Sequence, residues 1–249
     1  LYTSPHFVKF NERVVINRKQ IEDEFVASFV SDNEKYIDEH ELTFFEATTA
    51  MSFQYFKDMN ADYCVIETGL GGRLDSTNVL DPLAVVITSI SLEHTNVLGD
   101  TIEQIAAEKA AIIKNNTNVF LGMLNKEAAE VIEQKCGETK SKIFSLKDFI
   151  MTDGERIILL PGSDKKLEMN PPLKGRYQKN NAALAALTVS KTFSFNDSKK
   201  YLNGIENVSK NTGLQGRYEY FRKNPTIIFD SAHNPEGIEN FLTEFAKDA

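Results

Sequence analysis

At 249 residues the chain has room for one large domain, or one domain and part of another. Its hydrophobic content of 41% and charged content of 26% are those of an ordinary water-soluble fold, and no window approaches membrane-spanning length. A formal charge of −8 argues against general nucleic-acid binding, while leaving room for a local basic pocket. The first residues carry no signal-peptide pattern, and the two cysteines, Cys64 and Cys136, are too few for a disulfide framework. The scarcity of cysteine suits a reducing, cytoplasmic setting. An opening residue of Leu1 suggests an excerpt.

In chain order, residues 1–17 read as a loop followed by an extended segment, Arg13 to Asn17. Ile21, Phe25 and Phe29 have helical spacing over Gln20 to Val30, and the polar run 31–41 is expected to end that helix. Phe45 to Met59 is apolar on nearly every side, which predicts a helix packed between other elements. Tyr63 to Ile66 reads as a short buried strand, and Leu83 to Ile90 as a second, all-apolar one. Thr101 is placed to cap a helix running to about Lys114. A strand at Val119 to Leu121, a helix at Lys126 to Cys136 and a strand at Lys142 to Ser145 follow.

This alternation predicts an α/β fold, a mostly parallel sheet with flanking helices. Phe149 to Glu168, with turn pairs at Asp153-Gly154 and Gly162-Ser163, reads as a small antiparallel insertion. Leu173 to Gln178 is a loop feeding a helix over 180–192, and a further helix covers Ser198 to Asn207. Asn211 to Gly216 reads as a linker. Thr226 to Asp230 is an apolar strand, and Asn234-Pro235 opens a helix, with a cap residue and then proline at the first helical position. These last elements read as the first βαβ piece of a second, Rossmann-like α/β domain, giving domains at 1–212 and 213–249.

The chemistry is expected at Asp62 to Asn78, where a strand ends on Glu67 and runs into Gly69, Gly71 and Gly72. Glycines there let the backbone turn sharply and approach a ligand closely. The crevice beyond strand ends is where α/β sheets bind ligands, so Glu67, Arg73 and Asp75 are candidates. Gly69-Leu70-Gly71-Gly72 half-fits a dinucleotide fingerprint, but Leu74 stands where the third glycine belongs and turn residues follow. A plain tight turn is the other local reading.

Several segments together resemble the folylpolyglutamate synthase and dihydrofolate synthase family, among the Mur-ligase-like ATP-dependent amide-forming ligases. They are Thr3 to His6, Thr43 to Glu46, Glu67 to Asn78, Leu92 to Thr95, Glu108 to Ala110, Gln178 to Asn181, Gly216-Arg217 and Phe229 to Asn234. The resemblance implies a P-loop-type central domain, with the glycine-rich phosphate loop upstream of Leu1 and most of the C-terminal domain beyond residue 249. On that basis the chain by itself is expected to lack ligase activity.

The resemblance further implies ATP and Mg2+ as cofactors, with folate or dihydropteroate and L-glutamate as substrates. It assigns metal contact to Ser4, Glu67, His94 and a carbamylated Lys109. Glu67, His94 and Lys109 also carry the catalytic roles. Thr43, Phe44, Phe45, Glu46, Leu74, Asp75 and Ser76 would line the pterin site. Asn181, Arg217, Asp230 and His233 would hold ATP. A monomer without nucleic-acid or membrane partners is expected. A peptidoglycan-precursor ligase and a non-catalytic ligand-binding fragment are the alternatives. Lys109 also stands out by spacing alone, since it falls within the apolar stripe of Ile102, Ile105, Ile112 and Ile113. A lysine buried there must lose its charge or find a partner.

Overall fold

The computed structural model describes residues 1–153, 156–162, 165–193 and 198–248, apart from the Lys165 side chain. Gly154 and Ser163, central to the two expected turns, lie outside the described residues. The chain forms two compact units, Leu1–Asp81 and Pro82–Ala249.

In the first unit, β1 (Val15–Ile16) and β2 (Lys19–Gln20) form a short antiparallel pair, followed by α1 (Asp23–Glu39) and α2 (Phe44–Asp58). The polar run after Val30 continues α1. It contains neither glycine nor proline, its side chains face mainly solvent, and Lys35 and Glu39 pair across one turn at 3.6 Å. Helix α2 buries one side only: Thr48, Thr49, Met51, Ser52, Tyr55 and Phe56 are inside, whereas Phe44 and Met59 are exposed. The all-round burial expected of it is thus corrected. Its core partners are Tyr2, Val14 and Ile21, with Phe25 packed edge-on against Tyr55 at 4.8 Å.

Tyr63 to Ile66 is not the buried strand expected. The backbone is extended there, but Ile66 alone is bridged, in parallel, to Tyr2. Tyr2 N–H donates to Val65 O and Glu67 N–H to Tyr2 O, both at 2.9 Å. Alternation along the segment turns Ile66 toward the core and leaves Tyr63 and Val65 in solvent.

In the second unit, β3 (Ala84–Ile87), β4 (Asn118–Leu121) and β5 (Lys142–Ser145) form the expected parallel sheet in that order. The first of these ends at Ile87, where the polar Thr88 and Ser89 interrupt the segment Leu83 to Ile90 expected as one apolar strand. Helices α3 (Thr95–Leu98), α4 (Ile102–Ala110) and α5 (Lys126–Thr139) belong to the crossovers. Side chains alternate across the sheet: Val119 and Leu121 join Val85, Ile87, Ile105 and Ile132 on one face. Phe120 faces the other way, onto Phe144, Leu159, Leu184 and Leu187. Burial on both faces is why the central strand reads as an unbroken apolar run at Val119 to Leu121, whereas Val86 of β3 is exposed.

Helix α4 stops at Ala110 rather than Lys114. Ile112 N–H reaches Lys109 O and Ile113 N–H reaches Ala110 O, three-residue spacings that tighten the chain out of the α-helix.

The insertion is antiparallel as expected: β6 (Ile150–Asp153), β7 (Arg156–Gly162) and β8 (Lys165–Met169). Then come α6 (Arg176–Thr192), α7 (Ser198–Glu206) and α8 (Val208–Thr212), the last taking up the start of the expected linker. Finally β9 (Glu219–Lys223) and β10 (Thr226–Phe229) pair antiparallel, ahead of α9 (Pro235–Asp248). The strand and helix expected at Thr226 to Asp230 and from Pro235 are present, and β9 adds an antiparallel partner that was not expected. The sequence missed it because β9, Glu-Tyr-Phe-Arg-Lys, is too polar to read as a strand beside Thr-Ile-Ile-Phe. Among the described residues no helix is long and apolar enough to cross a membrane.

Candidate active site

The glycine turn of the first unit is built around Asp75. Its Oδ2 accepts the amides of Gly69 and Leu70, both at 2.9 Å. Its Oδ1 accepts the amide and the hydroxyl of Thr77, at 3.0 and 2.5 Å. Both oxygens are thus spent on folding the turn. Gly71 has φ +66°, and a Cβ on Gly69 would lie 2.4 Å from the Phe45 ring, so both glycines are demanded by geometry. Asp75 caps the short helical turn Ser76–Val79, Ser76 is half-buried, and Leu74 projects into solvent.

Ahead of the turn, the Ser4 amide donates to Glu67 Oε2 at 2.9 Å, so these two predicted metal residues do meet. The Thr43–Glu46 segment is a capping box for α2: Thr43 Oγ1 accepts the Glu46 amide, and Glu46 Oε2 takes the Thr43 amide and hydroxyl at 2.8 and 2.7 Å. The Thr43 hydroxyl, and then its amide, hold the Glu46 carboxyl below its ordinary range. The aromatic pair is divided. Phe45 packs inward on Tyr2, at 6.0 Å between ring centroids, while Phe44 presents a ring that is 61% exposed.

In the second unit, His94 precedes α3 in the left-handed conformation, φ 48° and ψ 39°, with an exposed side chain. Lys109 resolves the tension of a lysine in an apolar stripe by pairing: its Nζ lies 3.1 Å from Glu93 Oε1, both side chains about three-quarters buried. The other Glu93 oxygen is 3.4 Å from Asn234 Nδ2. Sequence reasoning placed Glu93 in a motif without giving it a role. The signal available was that a lysine on an apolar stripe needs a carboxylate.

Arg217, Asp230 and His233 are gathered at the ends of the β9–β10 hairpin. Asp230 accepts the amides of Tyr218 and Ala232, at 2.7 and 2.8 Å, and Arg217 Nη1 donates to Ser231 Oγ. His233 Nδ1 is 3.0 Å from Ser231 O, and Asn234 Oδ1 caps α9 through the Gly237 amide at 2.7 Å. Asn181 is exposed on α6. Tyr177, near the start of that helix, feels both Asp230 and Arg217. Burial first, and then Asp230, push its hydroxyl above the ordinary value against the pull of Gln178 and Arg217. Tyr177 was not anticipated from sequence.

The predicted residues therefore fall into two sets. Ser4, Thr43 to Glu46, Glu67 and Leu74 to Ser76 lie in the first unit, and His94, Lys109, Asn181, Arg217, Asp230 and His233 in the second. Among the described residues, no group of three or more His, Cys, Asp or Glu is arranged to hold a metal ion.

Comparison with known proteins gives a consistent picture. The chain is 36% identical over 259 residues to the dihydrofolate synthase/folylpolyglutamate synthase of Bacillus subtilis, covering 96% of this chain and 59% of that protein. Its fold is similar to the Mycobacterium tuberculosis folylpolyglutamate synthase complexed with ADP and AMPPCP, with TM-score 0.86 and 30% identity over 98% of this chain and 59% of that one. It is equally similar to an FPGS–AMPPCP–folate complex, with TM-score 0.87 and 30% identity over 100% of this chain and 64% of the other. The chain thus spans about three-fifths of the length of these relatives. The Mur ligase middle domain matches residues 18–189, more than half of the sequence, and the chain belongs to that family.

Proposed function

We propose that the protein carrying this chain is an ATP-dependent carboxylate–amine ligase that adds L-glutamate to folates, to dihydropteroate, or to both. The observation that carries the reading is the likeness, along the whole chain, to a fold bound to AMPPCP and folate. In this reaction a substrate carboxylate oxygen attacks the γ-phosphorus of ATP and ADP leaves. The glutamate amine then attacks the acyl carbon and phosphate leaves, forming the amide.

Both steps bring anions together, so they depend on positioning and on compensating charge. Magnesium fits the donor chemistry present. It prefers oxygen ligands and keeps several waters, so a few protein contacts suffice, and the Glu67 carboxylate is already oriented by the Ser4 amide. Ser4, Glu67, His94 and a carbamylated Lys109 are each proposed as metal contacts, and magnesium when bound would neutralise phosphate charge. Arg217 offers a planar donor fork to phosphate, and Asp230 an acceptor at a strand end. Asn181 and His233 complete the nucleotide set.

Phe44 supplies the stacking face for the pterin. Phe45, Thr43, Glu46 and Leu74 to Ser76 shape the pocket around it. The reading carries with it a division of the protein at about residue 212, a monomeric state and a cytoplasmic setting.

The test is ATP-dependent incorporation of labelled glutamate into tetrahydrofolate and dihydropteroate by the protein at its native length. Glu67→Gln and His94→Ala are each expected to lower turnover more than about tenfold at limiting magnesium. No incorporation into either acceptor would dismiss the reading. Wild-type turnover in both variants would dismiss the metal assignment.

A further inference from the structure

Among the described residues, no carboxylate pairs with one buried cation of the first unit, Arg13. Arg13 is only 8% exposed, at the end of the helical turn Phe10–Arg13. Its Nε donates to His6 Nδ1 at 2.9 Å, a bond that makes Nδ1 the acceptor nitrogen of that ring. The two Nη groups find no acceptor among the described residues, and no carboxylate there pairs with the guanidinium.

The nearby carboxylates are committed elsewhere. Glu12 takes the amides of Phe7, Val8 and Lys9 at 2.7 to 3.1 Å, Glu46 takes Thr43, Glu67 takes Ser4, and Asp75 takes the glycine turn. Burying an arginine without a counter-charge is unfavourable unless another partner completes it.

The surroundings indicate what that partner is. Arg13 Cζ lies 5.2 Å from the centroid of Phe44, the exposed ring, and Phe10 braces Phe44 edge-on at 5.9 Å. The Nη atoms are not sealed off. Among the described residues, Thr192 Oγ1 is the one fully buried side-chain nitrogen or oxygen without a partner. A stacking face and a cationic donor fork therefore open on the same small area. A fork of this kind recognises a planar edge carrying acceptor atoms.

We propose that Arg13 is a ligand-contacting residue that reads the acceptor edge, an exocyclic oxo oxygen and the unprotonated ring nitrogen beside it, of a flat heteroaromatic ring stacked on Phe44. The inference rests on the folate reading above and assigns the group that selects an oxo ring over its amino counterpart. A site built to donate hydrogen bonds disfavours an analogue that presents N–H in the same place, because donors then face donors.

The experiment measures binding to the full-length protein by titration calorimetry. The ligands are folate and the matching pteridine in which the exocyclic oxo oxygen is replaced by an amino group. Wild type is expected to favour folate. Arg13→Met is expected to weaken folate about tenfold or more, to change the amino analogue less than about twofold, and to leave the KM for ATP unchanged. Arg13→Lys keeps the charge and stem but not the fork, and is expected to lose most of the discrimination while retaining the fold. That keeps the test intact if the methionine variant does not fold.

Equal weakening of both ligands, or wild-type discrimination in the variants that fold, overturns the proposal. Phe44→Ala separates it from the reading beneath it. If Phe44→Ala weakens both ligands while the Arg13 variants change neither, only the Arg13 proposal fails. If Phe44→Ala leaves both ligands untouched, the placement of the ring fails, and the Arg13 proposal with it.

Discussion

Two positions show how much one residue's surroundings decide. Gly69 sits where any Cβ would strike the Phe45 ring at 2.4 Å, and Phe45 in turn packs on buried Tyr2. Gly69→Ala is expected to lower stability by about 1–3 kcal/mol through displacement of that ring. An unchanged midpoint of thermal unfolding would show that the ring gives way freely. Lys109 is paired with Glu93, so carbon dioxide can add to its amine only once Glu93 releases it. Under the proposed carbamate role, Lys109→Ala is expected to be nearly inactive and partly rescued by bicarbonate with a short-chain carboxylic acid. A high-resolution, metal-bound structure with a bare amine facing solvent would refute the carbamate.

At the scale of elements, caps and clamps are more informative than helix spans. Thr43 closes the first turn of α2 together with Glu46. Thr43→Ala is expected to cost about 1 kcal/mol in urea unfolding whether or not ligand is present. A loss seen only with folate bound would make Thr43 a ligand contact alone.

The end of α9 is clamped in a second way. Asp248 takes Lys174 and the hydroxyls of Tyr218 and Tyr220, and the Lys174 ammonium lies 5.0 Å from each tyrosine ring centroid. Lys174 first, then Tyr220 and Tyr218, hold the Asp248 carboxyl down to about 2. A depressed carboxylate stabilises above its unfolded value near 3.8, and that contribution disappears as pH falls through about 2. The difference in Tm between wild type and Asp248→Asn is therefore expected to shrink across that acid window. A difference constant from pH 5 to about 2 would refute the clamp.

For the molecule as a whole, the two cysteines report on packing. Cys64 lies in the exposed extended segment, whereas Cys136 is buried against the sheet, and burial, then Glu133, push its thiol up to about 11. At mild alkaline pH one equivalent of a thiol reagent is expected to react promptly and the second more than about a hundredfold slower until denaturant is added. Two equivalents reacting at a single rate would show that the core around Cys136 opens readily.

The layered α/β arrangement was legible from the alternation of strand and helix segments, with the central strand, Val119 to Leu121, buried on both faces. The starts of helices α4 and α9 were legible through their cap residues, Thr101 and Asn234. The glycine turn was legible as well, since its glycines answer a local backbone demand. Where outcomes depend on partners distant in sequence, the residues alone could not decide. Tyr63 to Ile66 has strand composition, but among the described residues Ile66 alone is bridged, to Tyr2, and Tyr63 and Val65 remain exposed. Glu219 to Lys223 has little strand character, yet pairing with β10 makes it one. The spacing around Lys109 stated the need for a partner, and only the folded chain supplied Glu93. Arg13 is the inverse case: a charge unremarkable in the sequence becomes notable once tertiary structure buries it and commits the neighbouring carboxylates elsewhere. Local patterns fix what each segment tends to form, whereas burial and pairing are set by which distant segments meet.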